Sequence, residues 1–134
     1  YTKKVQIEAR VLGDLALNHI LPVAVRYQSI LLDNVSKIQS VFPPEKSERM
    51  IEADMSTIES ISEHTRIIKT EVEKMVDARR EANRIDSERE KAIAYHDNVV
   101  PRMSTIRYHI DKLELMVDNE MWPLPKYREL LFIR

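Results

Sequence analysis

Cysteine is missing from this chain altogether, and glycine occurs once. The first absence removes disulfides and thiolate chemistry, and it fits a reducing compartment. The second removes most tight turns, because globular proteins carry about 7% glycine. Aromatic residues are few, at 6%, and the net charge is only -1. A near-neutral chain gives no electrostatic reason to expect nucleic acid or an anionic membrane as partner. Long apolar runs are absent too. The longest stretch of the first half without Asp, Glu, Lys or Arg is Leu15 to Val25, short of the ~20 residues that span a bilayer. The opening "YTKKVQIEAR" lacks the apolar core of a signal peptide. A start at Tyr1 that enters a helix at once suggests a piece of something longer.

What is present is helical. With 43% hydrophobic and 32% charged residues over 134 positions, the chain suits one all-α domain with a real core. The spacing predicts a first helix over about 4–41. Asp14, Asn18, Arg26, Ser29 and Asp33 form one narrow polar stripe, and nearly everything else from Val11 to Leu32 is apolar. Ordinary surface helices are apolar over a third to a half of their circumference, so this one should be wedged among several neighbours. Pro22 falls on the polar stripe, where a kink costs least. Gly13, inside an apolar stretch, reads as a point of close helix packing.

"FPPEKSER" ends that helix, and Pro44 or Ser47 opens a second over about 45–84. Its seam is Ile51, Ile58, Ile61, Ile68, Val72, Met75 and Ala82, with Thr65 filling one position, a period of alternating threes and fours. Asp86 or Ser87 caps a third helix over about 87–118, with Glu90 completing a capping box after Ser87. The third seam is Ala92, Tyr95, Val99, Met103, Ile106, Ile110, Leu113 and Val117. Pro101 lies off it, so the helix bends and continues. The expected fold is an elongated up-down-up antiparallel three-helix bundle over residues 1–134, with kinked first and third helices each about 45 to 55 Å long.

No site assembles from the reactive residues. The positions three before His19, His64, His96 and His109 are Ala16, Ile61, Ile93 and Ile106, so the Glu-x-x-His pattern of di-iron bundles fails. A phosphate-cradling loop needs glycines that the chain lacks. The run Arg79 to Lys91 holds five positive and four negative residues, which makes it a solvated surface. Asp14 and Asn18, beside His19, read either as solvent-facing polar groups or as an interdomain hydrogen-bond site.

The tail "MWPLPKYRELLF" is different. Pro123 pushes Trp122 out of helical conformation, and Pro125 opens a short helix over about 125–132. There Tyr127, Leu130 and Leu131 share a face, with Leu124 and Phe132 adding area. The tail either folds back over its own bundle or docks elsewhere. The candidate docking residues are therefore Val11, Leu15, Leu17, Leu21 and Val25 on the first helix, and Trp122, Leu124, Tyr127, Leu130, Leu131 and Phe132 in the tail. No catalytic, metal or cofactor residue is expected.

"ARVLGDLALNHILPVAVRYQ", Ala9 to Gln28, and "HIDKLELMVDNEMWPLPKYRELLF", His109 to Phe132, resemble the C-terminal region of type III glutamine synthetases. The middle, Ile58 to Asn83, is similar in a less specific way. The resemblance implies a helical appendage of a large cytoplasmic, ring-forming ligase that joins ammonia to glutamate with ATP and Mg or Mn. Its partners would be the catalytic domain of the same chain and neighbouring subunits, and its catalytic motifs match nothing here. The alternative is a free-standing helical protein-interaction module.

Overall fold

The computed structural model describes residues 1–123. Among them are three long helical stretches and no strand. The first, α1, is Thr2–Val41, beginning two residues earlier than the apolar spacing suggests. Phe42 and Pro43 are extended, and Pro44 is the first residue of α2, Pro44–Asn83. Proline suits that place because the first helical N–H has no partner to lose. Ser47 is buried inside the first turn and caps nothing. The third stretch, α3, covers 88–116. Ser87 is its N-cap, with its Oγ accepting from the Glu90 N–H at 3.3 Å. The expected short helix over 125–132 lies outside the described residues.

Two helices widen at one place each. In α1 a π-turn occupies Ala16–Ile20, and the Leu21 N–H donates to the Ala16 carbonyl, five residues back. In α3 a π-turn occupies Tyr95–Val99, and the Val100 N–H donates to the Tyr95 carbonyl. Each π-turn ends two residues before a proline, Pro22 and Pro101. A proline ring collides with the carbonyl four residues earlier, and a wider turn moves that carbonyl aside. Both prolines are exposed, as their place off the seams demands.

The seams close on one main core. Ile61, Ile68, Val72, Met75 and Ala82 of α2 meet Tyr95, Val99, Met103, Ile106, Ile110, Leu113 and Val117. From α1 come Val5, Ala9, Leu12, Ala16, Ile20, Val23 and Ala24. Small residues, Ala9, Ala16 and Ala24, are fully enclosed there, so α1 lies close to its neighbours. Gly13 does the same: a Cβ on it would stand 3.4 Å from Met75 Cε and 3.8 Å from Val72 Cγ1. Ala92 is only half-buried, a small correction to the α3 seam.

Polar contacts tie the helices at their rims. Arg102 Nη1 donates to both Glu71 oxygens, at 3.0 and 3.2 Å. The enclosed Tyr95 donates its hydroxyl to Asn83 Oδ1 at 2.6 Å, closing α3 over the end of α2.

Candidate docking surface

The second half of α1 has less cover than the first. Beyond about Tyr27 it packs chiefly on α2. A small separate cluster of Val35, Ile51 and Ile58, flanked by Leu31, Ile38 and Met55, is built by these two helices alone. Gln28 Nε2 anchors the stretch on α2, donating to the Ile58 carbonyl at 2.9 Å and to Ser62 Oγ at 2.7 Å. Asn34 Nδ2 adds a bond to Asp54 Oδ2 at 2.8 Å. Two packed helices can bury only one side of each other, so Ile30, Leu32, Val41, Phe42 and Met50 face outward.

The candidate residues on α1 divide accordingly. Val11, Leu17 and Val25 are exposed, at 62%, 38% and 52%. Leu15 and Leu21 are half-buried against the main core. Trp122 is a correction: it sits in the chain's own core, only 6% exposed, so it folds back on the bundle and offers no outward surface. Leu124, Tyr127, Leu130, Leu131 and Phe132 lie outside the described residues.

Apolar groups left in water at these positions matter energetically. Fully burying a Val, Leu or Ile side chain is worth ~1.5 to 3 kcal/mol. Covering five half-exposed ones would therefore return roughly 5 kcal/mol before ordering costs. The most apolar window of α1 is only 22% buried, and by length and composition alone this helix could cross a membrane. The polar stripe argues for a protein partner instead. Asp14, Asn18, Arg26, Ser29 and Asp33 are all exposed along the helix, and charges facing hydrocarbon are costly.

One polar island interrupts the apolar flank. Asn18 Nδ2 donates to Asp14 Oδ1 at 2.6 Å, and His19 Nε2 lies 3.8 Å from Asp14 Oδ2. Asn18 and His19 lie within the π-turn, and both are exposed. The island borders a groove of about 260 Å³ between α1 and α2, lined by Arg10, Asp14, Leu17 and Arg79.

A feature with no counterpart in the sequence reading lies on the opposite seam. His64 of α2 and His109 of α3 meet through their Nδ1 atoms at 2.8 Å. Burial is the main cause that lowers both from the usual imidazole value; for His64 the His109 and Lys112 charges push the same way. Spacing along one helix could not reveal the pair, because it depends on the register between two. Among the described residues no three His, Asp or Glu side chains converge to hold a metal ion.

Residues 1–39 match the family model described as the glutamine synthetase C-terminal domain. Over all 134 residues the chain is 50% identical to a glutamine synthetase of Bacteroides fragilis. The chain is similar to the C-terminal regions of glutamine synthetases. A type-3 glutamine synthetase of Dictyostelium discoideum is 28% identical, again over 134 residues. The chain spans 18% of the length of each of these two relatives. In both, most of the glutamine synthetase polypeptide is therefore something other than the region that this chain matches.

Proposed function

We propose that this chain is the non-catalytic helical C-terminal region of a type III glutamine synthetase, and that the outward flank of α1 packs on the catalytic body of the same polypeptide. The parent would ligate ammonia to glutamate with ATP, in the cytoplasm and as a homo-oligomer. The observation that carries this reading is the set of apolar residues left exposed on α1: Val11, Leu17, Val25, Ile30 and Leu32. In this reading the three helices form an up-down-up bundle. The cross-helix pairs support it, since Glu71 meets Arg102 while His64 meets His109, a register that runs in opposite directions. Bends would fall at the two π-turns.

ATP and Mg or Mn would be held by the parent and not by this region. The described residues do not fit either group. No three metal-ligating side chains converge, and Gly13 is packed inside a helix rather than in a phosphate loop.

The test separates folding from docking. Val25→Lys with Leu32→Lys changes two exposed positions, so the melting of the 134-residue chain should move little, within the ~0.5 kcal/mol usual for surface sites. In the full-length synthetase the same pair should lower the melting temperature or the assembled mass by light scattering. An unaltered full-length enzyme would overturn the proposal.

A further inference from the structure

We infer that His64 and His109 form a one-proton clasp between α2 and α3, a pH-sensitive joint that survives one added proton and opens on the second. The ring nitrogens are 2.8 Å apart and the ring centroids 5.0 Å apart. The nitrogens therefore lie close to the line joining the ring centres, and their in-plane lone-pair sites meet nearly head on. A zinc ion on that line would hold its two nitrogens about 4 Å apart, twice a Zn–N bond of about 2.0–2.1 Å. The spacing fits a proton.

Proton bookkeeping follows from the contact. With both rings neutral, one carries its proton on Nδ1 and donates, while the other accepts at a bare Nδ1. The donor ring then has a bare Nε2, and that atom takes the first added proton. The ring becomes an imidazolium and its Nδ1–H bond becomes charge-assisted, so the contact holds. The second proton has only the acceptor Nδ1 left. Binding there removes the lone pair that closed the bond and places two cations in contact across the seam.

The surroundings come from both helices. On α2, Glu63 and Glu71 favour the charged form; Arg66 bonds Glu63 at 2.6 Å, and Arg102 of α3 holds Glu71. On α3, Lys112 opposes a charge on His64, and Tyr108 stands edge-on to His109 with centroids 5.1 Å apart. Desolvation outweighs the carboxylates, and both groups are lowered. A group with a depressed folded value contributes stability above its unfolded value, near 6.5, and that contribution is lost as the pH falls through the folded value. The α2–α3 seam therefore weakens in acid, below about pH 6.5.

Long-range proton–nitrogen NMR of the imidazoles in the 134-residue chain tests this. At pH 8 one of the two rings should be the Nδ1–H tautomer. On acidification the pair should titrate in two steps at least about one pH unit apart. His64→Gln should merge the titration of His109 into one step at higher pH. Two Nε2–H tautomers at pH 8, or one single titration step common to both rings, would overturn the clasp. The wild-type tautomers decide the question even where the substituted chain fails to fold.

Discussion

Gly13→Ala adds one methyl group where α1 packs on α2, and its outcome can be worked from the geometry. The new Cβ would stand 3.4 Å from the Met75 methyl and 3.8 Å from Val72 Cγ1, both within ordinary contact. Gly13 has no positive φ to relinquish. Replacing a helix-interior glycine by alanine returns ~0.8–1 kcal/mol of propensity, and burying one methyl returns up to ~0.8 kcal/mol. The expected gain is about 1 kcal/mol, because the Met75 tip must hold its present rotamer to accept the contact. For a chain of this size that raises the melting temperature by roughly 3 to 6 °C. Calorimetry or thermal circular dichroism reads it directly. A loss of 1 kcal/mol or more would mean that α1 sits closer to α2 than this packing allows, and would refute the reasoning. Gly13→Leu should destabilise in either case, by ~1–3 kcal/mol of overpacking.

Two further substitutions probe the seam between α2 and α3. Tyr95→Phe removes the hydroxyl bond to Asn83 while keeping the ring, and should cost about 0.5–1.5 kcal/mol in a denaturant melt. Arg102→Ala leaves the largely buried Glu71 carboxylate without its guanidinium. The expected loss is about 1–2 kcal/mol, held down by the partial exposure of Arg102.

Much of the fold was legible because burial on a long helix repeats with the turn. The seven α2 seam residues are all buried, and seven of the eight on α3 are too. The prolines gave warning that the helices could not run on undisturbed, but not of the form the disturbance takes. A proline says only that a hydrogen bond is missing, and a wider turn and a simple bend relieve the same clash. Trp122 illustrates a second limit. Its size and its place before Pro123 mark it for burial, yet composition alone does not tell a neighbouring body from the chain's own core. The His64–His109 contact was out of reach for a third reason. Its partners are 45 positions apart, and neither helix pattern fixes how the two slide past each other.

Because the chain has no cysteine, a single one can report on the face of α1 that the account leaves to be covered. Val25→Cys, and separately Leu32→Cys, would be alkylated in the 134-residue chain and in the full-length synthetase, with the modified peptide quantified by mass spectrometry. The account predicts fast labelling in the isolated chain and labelling slowed about tenfold or more in the full enzyme, the protection that ~1.4 kcal/mol of closure confers. Equal rates in the two would contradict it.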